Sequence, residues 1–246
     1  MRKYLCKKDQ HDERDYLYAR LPIRKDLPSE IDLRSGCSPV VDQGELGSCT
    51  ANAIGSGLRE YLEIKNMQTN VPLSRLFLYY HERLLEGTVD EDSGAEIRDG
   101  IKVLKKLGIC SEALWPYEVS QFTVAPSAEA ETEAGRFKID SYQRLRTIYD
   151  VQRCLAEGYP VVMGMSVYES FESDRVAQSG IVPSPRAGEE VLGGHAMLIV
   201  GYKKMGLRQC FIVRNSWGES WGDKGYCYIP AKFINNGIIF DLWTAR

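Results

Sequence analysis

The hydrophobic pattern of this chain changes period once, and that change restricts the fold to two unlike halves. Between Leu27 and Gly108 apolar residues recur at helical spacing. Ile54, Leu58, Tyr61 and Leu62 share one face of a helix that Ser48 can cap, and Leu76, Leu78 and Leu84 mark a second helix after Ser74. Ser93 followed by Glu96 predicts a capping box for a third helix, with Ile97, Ile101 and Leu104 as its buried stripe and Gly108 as its stop. Pro126 to Gly135, rich in glutamate, reads as a solvated crossing. A short helix follows over Thr147–Leu155, ending at Gly158. Then come strand-like runs, Val161–Val167, His195–Tyr202, Cys210–Arg214 and Tyr226–Ile229, between glycine-rich turns. Helices first and strands later indicate an α+β protein of two lobes. The expected division is an extension over 1–26, a mainly helical lobe over 27–135 and a mainly β lobe over 136–246.

Charge and cysteine usage narrow the function. The 246 residues carry 31 basic and 34 acidic side chains, a net charge of −3. So small an imbalance gives no electrostatic footprint for nucleic acid or a membrane surface. No run approaches the ~20 apolar residues of a membrane span. The first residues, Met1 to Asp9, are basic without an apolar core behind them, unlike a secretory signal. Cytoplasmic placement is therefore the default, with export by another route left open. The seven cysteines are scattered, odd in number and without a CxxC pair, which suits neither a disulfide framework nor a zinc site. A reducing compartment is expected.

Three short stretches carry the chemistry. In Asp42 to Ala53, Cys49 falls in the first turn of a helix, where unpaired N–H groups and the macrodipole favour a thiolate. Gly44 and Gly47 keep the approach to the sulfur open. Gln43 can offer a side-chain N–H, and Cys49 its backbone N–H, to an oxyanion formed when the sulfur attacks a carbonyl. His195 follows Gly193 and Gly194 at the head of an apolar strand, a rigid place for a general base. Asn215, within Val213 to Gly222, can accept one ring N–H and so aim the other ring nitrogen, with Trp217 covering that bond. Each residue alone has a structural explanation; the set in one chain favours catalysis. His11, in the charged extension, and His81, beside Tyr79 and Tyr80, read as surface or packing residues.

These motifs resemble the papain-like (C1) cysteine peptidase family: Gln43 to Cys49, Gly194-His195-Ala196, and Asn215-Ser216-Trp217-Gly218 through Trp221-Gly222 and Gly225-Tyr226. Weaker matches are Leu27 to Arg34, similar to a mature amino terminus, and Trp115-Pro116-Tyr117. The resemblance implies a papain-like two-lobe fold, with Cys49 on the central helix of the helical lobe and His195 and Asn215 on a β-barrel-like lobe, the cleft between them. It implies a thiolate–imidazolium pair, an acyl-enzyme and peptide-bond hydrolysis, with no metal or organic cofactor. It also places extended substrate along Ser93, Gly94 and Ala95, with Glu96, Ile97, Gly164, Gly193 and Ala196 lining the pocket for the side chain two residues before the cut. Gly194 and Trp217 complete the expected substrate surface, and Glu96 suggests a basic side chain in that pocket.

Several positions depart from the family. Thr50 replaces an aromatic residue, Leu46 replaces a half-cystine with Asp92 near its partner's place, and Gly194 stands where Asp or Asn is common. The family disulfides are not evident, which points to a divergent microbial-type branch. Pairing of Cys210 with Cys227 is left open. The extension before Leu27 is short for an inhibitory prosegment; it is either a disordered tail or a plug over the cleft with Cys6 near Cys49. A peptide or protein is the expected partner. An acyl transferase using the same residues, or an inactive peptide-binding homologue, are the alternatives.

Overall fold

The computed structural model describes residues 2–18 and 26–246; the remainder of the 1–26 extension lies outside the described residues. In chain order, strand β1 (Ile31–Asp32) precedes a long helix in three parts: α1 (Cys49–Ala51), a π-helical stretch over Asn52–Arg59, and α2 (Glu60–Met67). Then follow α3 (Arg75–Glu86), α4 (Ile97–Lys106), α5 (Ala128–Ala134), β2 (Tyr142–Leu145), α6 (Ile148–Ala156), β3 (Val161–Tyr168), α7 (Asp174–Ser179), β4 (Val191–Met205), β5 (Arg208–Arg214), β6 (Tyr226–Pro230) and β7 (Ile239–Ala245).

Among the described residues the strands form one antiparallel sheet in the order β2-β7-β3-β4-β5-β6, with β1 pairing β4. The expected β-barrel-like lobe is thus an open sheet, since edge strands β2 and β6 do not pair with each other. Strand β4 is almost wholly apolar because both of its faces are covered. Ala196, Leu198 and Val200 join the cluster that includes Ile54, Leu58, Leu78 and Ile101 of the helices. Met197 and Ile199 join a second cluster with Met163, Val213 and the α6 residues Val151 and Leu155. The π-helical part presents Gly57 to Leu198, where a Cβ would lie 3.3 Å from the leucine methyl, so helix and sheet approach closely behind Cys49.

Local signals succeeded where a side chain could act on its own backbone. Ser74 caps α3 by accepting from Phe77 N at 3.1 Å, and Thr147 with Asp150 forms a capping box on α6. Other expectations are corrected. Ser48 gives no side-chain cap, because its hydroxyl is taken by Tyr117 Oη at 2.5 Å. Ser93 and Glu96 form no capping box: α4 starts at Ile97, Ser93 Oγ is shared with Thr88, and Gly94 has φ +66°. The 126–135 crossing contains α5, capped by Ser127, with Ala130 and Ala134 buried between its glutamates. Leu84 is half exposed rather than core. The sequence reading also missed β2 and β7, which carry the far edge of the sheet. Cys210 and Cys227 sit opposite Pro230 and Val213 rather than each other, and all seven cysteines are free.

Candidate active site

A short strap joins the two lobes and sets the site. Gln43 N donates to Ser216 O at 2.9 Å and Gly218 N to Val41 O at 3.1 Å, so the approach to Cys49 is tied to the loop after β5. The first turn of α1 then places Cys49, fully buried, against β4, which carries His195, also fully buried. Asn215 follows β5 directly, its N–H held by Gly225 O at 3.0 Å.

The imidazole and amide form the expected pair. With its proton on Nε2, His195 donates to Asn215 Oδ1 at 2.8 Å, and Ser216 N donates to the same oxygen at 2.8 Å. Trp217 stacks on the imidazole with centroids 5.0 Å apart and an interplanar angle of 27°, shielding the bond from water. His195 Nδ1 has no other hydrogen-bond partner and is the nitrogen left for Cys49, which interacts with the ring. The Cys49 thiol is held well below the ordinary thiol range, first by a hydrogen bond from Cys6; hydrogen bonding and charge from His195 act in the same direction, and burial opposes them.

Gln43 is held at both ends of its amide. Oε1 accepts from Ser216 Oγ at 2.6 Å, and Nε2 donates one hydrogen to Leu46 O at 2.9 Å. An amide NH₂ has two hydrogens, so one remains for an oxyanion. Ser216 was not foreseen in this holding role, although its place beside Asn215 was the available signal. Tyr117 Oη, in the Trp115-Pro116-Tyr117 turn, donates to Gln43 O at 2.9 Å, and Asn52 Nδ2 donates to Ser48 Oγ at 3.0 Å. Asp92 does tie together the two segments that a family disulfide would link: its carboxylate accepts from Gly47 N at 3.0 Å and from Tyr79 Oη at 2.6 Å. Thr50 Oγ1 donates to the buried Glu82 at 2.6 Å, and burial pushes the Glu82 carboxyl well up.

The expected substrate surface is occupied by the chain's own amino-terminal segment. Cys6 N donates to Gly194 O at 3.0 Å, Gly194 N to Tyr4 O at 3.2 Å, and Lys7 N to Ala95 O at 3.1 Å. Both walls need glycine here. A Cβ on Gly94 would collide with Leu5 O, and one on Gly193 with Tyr4 O. Ala95, Ile97 and Ala196 are buried, while Ser93 points its hydroxyl at Thr88 and Gly94 O rather than at the segment. Gly164 faces the Phe240 ring, which a Cβ there would strike, and the Lys8 ammonium lies 4.9 Å from that ring's centre. The basic side chain beside this wall, Lys7, pairs with Glu86 at 2.6 Å and not with Glu96. Glu96 instead donates its backbone N–H to Glu86 Oε1 at 2.7 Å, and no sequence signal singled out Glu86.

The remaining histidines are placed as expected. His11 is exposed, and His81 packs on Phe77 at 4.5 Å with Nε2 2.9 Å from Glu131. No cluster able to hold a metal occurs among the described residues, nor any helix long and apolar enough to cross a membrane.

Fold and site together define a two-lobed α+β protein in which a helix-borne thiol, a strand-borne imidazole and an amide meet in one cleft. The papain family cysteine protease model matches residues 27–239. A peptidase C1-like protein of Acanthamoeba polyphaga mimivirus is 45% identical over 233 residues, covering 90% of this chain and 73% of that protein. Rat procathepsin L is 27% identical over 226 residues, covering 87% of this chain and 64% of that protein. The solved structure of xylellain, a cysteine protease from Xylella fastidiosa, superposes with a TM-score of 0.89 at 38% identity, covering 100% of this chain and 97% of that one. The chain belongs to the papain family of cysteine proteases. At that level it is a cysteine peptidase, a hydrolase by class, and these relatives lend no support to the acyl-transferase reading.

Proposed function

We propose that Cys49 is the nucleophile of peptide-bond hydrolysis, with His195 as base and acid, Asn215 orienting it, and Gln43 with the Cys49 N–H receiving the oxyanion. The observation that carries this reading is the buried arrangement of the Cys49 sulfur, the His195 ring and Asn215 Oδ1, the last pair 2.8 Å apart. The thiolate adds to the carbonyl carbon and charge gathers on the carbonyl oxygen beside the two N–H donors. His195 gives its proton to the leaving amine, forming the acyl-enzyme, then takes one from the water that hydrolyses it.

Residues 2–18 keep this site latent in the same proposal. The segment brings the Cys6 side chain to the Cys49 sulfur and leaves Cys49 fully buried, so an incoming peptide has no access to the nucleophile. Its own binding supports an extended polypeptide as substrate, held by backbone bonds to Gly194 and Ala95. A reducing, cytoplasm-like compartment is proposed from the seven free thiols, six of them buried.

The test compares three proteins on a diverse peptide library: the full chain, a chain starting at Leu27, and that shorter chain with Cys49→Ala. The shorter chain should hydrolyse faster than the full one, and Cys49→Ala should remove hydrolysis by about 10⁴-fold or more, the scale of losing a nucleophile. Equal rates for the full and shorter chains, both folded, would refute latency. Residual activity in Cys49→Ala would refute the nucleophile.

A further inference from the structure

The inhibitory reading explains why a segment lies in the cleft but not why it offers a thiol to the nucleophile. Cys6 is buried in the same apolar cluster as Cys49, its backbone is fixed by the bond to Gly194 O next to His195, and its sulfur, 3.7 Å from Lys7 O, interacts with the Cys49 sulfur. None of the other five cysteines interacts with another sulfur among the described residues. A serine or alanine would fill the same space against Gly194 without this chemistry. The shared hydrogen bond also favours unequal protonation: it helps hold Cys49 as thiolate and pushes the Cys6 thiol up.

From this contact we infer that Cys6 is a resolving thiol for Cys49, and that a peroxide converts the pair into a disulfide that fastens the segment across the cleft reversibly. The Cys49 thiolate attacks one peroxide oxygen; the O–O bond breaks, hydroxide leaves and takes up a proton to become water. Cys49 is then a sulfenic acid. The Cys6 sulfur displaces its oxygen, the S–O bond breaks, and a second water carries away the Cys6 proton. The two sulfurs lose two electrons and the peroxide gains them. Forming a bond of ~2.05 Å draws the sulfurs in from hydrogen-bond range. The links on either side, Lys3–Asp92 and Lys7–Glu86, end in long lysine side chains that are partly exposed and can follow that small movement. Without a neighbouring thiol, a sulfenic acid goes on to sulfinic and sulfonic acids that thiols do not reverse. The pair would therefore protect the nucleophile and couple release of the segment to a reductant such as a small thiol.

The inference rests on the segment's place in the cleft, which the proposed latency also uses, but its test reads chemistry rather than activity. The reduced full chain is treated with graded hydrogen peroxide near neutral pH, alkylated, digested without reductant and mapped by mass spectrometry. Two of the seven thiols should be lost first. They should appear as one linked peptide pair containing Cys6 and Cys49, which dithiothreitol separates. In Cys6→Ser, matched for thermal midpoint, that pair should vanish and sulfinic plus sulfonic Cys49 should rise on the order of ten-fold. No Cys6–Cys49 link in the folded chain, or equal overoxidation of Cys49 in both proteins, would overturn the inference. A reduced full chain as active as the shorter one, in a protein that still forms the link on peroxide treatment, would instead overturn latency alone.

Discussion

The catalytic pocket and the segment lying on it are held by different kinds of interaction. In the pocket, Gln43, His195, Asn215 and Ser216 are buried and joined to one another by hydrogen bonds of 2.6 to 2.9 Å between fixed elements. The first half of the segment, residues 2–8, lies over that pocket and relies on a few backbone bonds and partly exposed ion pairs such as Lys3–Asp92. Exposed pairs of this kind are worth about 0–1 kcal/mol each. Its second half is anchored on the sheet instead. The Asp9 carboxylate accepts from Trp243 Nε1 at 2.7 Å and from Arg98 N at 3.1 Å, and Asp15 pairs with Arg98 and Arg144 at 3.0 and 2.9 Å. Tyr18 and Tyr16 then bond Arg144 on β2 through their backbones. Residues 2–8 cover the site through backbone bonds, Arg2 over the Trp217 ring and Tyr4 edge-on to His195, whereas residues 9–18 are held by buried charges.

Breaking the anchor should give the largest effect. Removing one partner of a buried charge cluster costs about 3–5 kcal/mol. Asp9→Ala is thus expected to weaken docking by roughly 10²–10³-fold and bring hydrolysis by the full chain close to that of the chain starting at Leu27. Unchanged hydrolysis would place the anchor elsewhere. A break inside the pocket should be smaller and should not depend on the segment. Asn215→Ala removes one hydrogen bond to an imidazole that becomes charged, about 1.5–3 kcal/mol, and should lower kcat/KM by roughly 10–10²-fold in the shorter chain. A loss confined to KM would contradict an orienting role.

Acid sharpens the comparison with the smallest effect and an unexpected sign. Asp241, which accepts from Asp9 N at 2.6 Å, is pushed up to about 6, first by burial and then by the Asp9 charge; Asp9 is itself raised by burial. A carboxyl raised in the docked state binds a proton there at a pH where the undocked state does not. Docking is then penalised above about 6 and gains strength as pH falls through 6 toward the ordinary carboxylate range. The ratio of full-chain to short-chain hydrolysis should accordingly fall between pH 7 and pH 5, and a rising ratio would show that another group governs release.

Sequence alone pointed to the class of chemistry and to the residues proposed to carry it. Cys49, His195, Asn215 and Gln43 stand in short motifs whose local geometry is dictated by helix start, strand head and turn, and those are short-range properties of the backbone. The buried stripe of α4 and the apolar run of β4 were legible for the same reason. Tertiary structure decided everything that depends on which surfaces meet. It made Ser93 part of an extended wall instead of a helix cap, opened the sheet, paired Lys7 with Glu86 rather than Glu96, and left Cys210 and Cys227 out of register. It also laid a polar amino-terminal stretch with little periodicity into the cleft. Such a stretch has no fold of its own; its conformation comes from backbone bonds to Gly194 and Ala95 and from charges on four distant elements, and no spacing along the chain encodes those contacts.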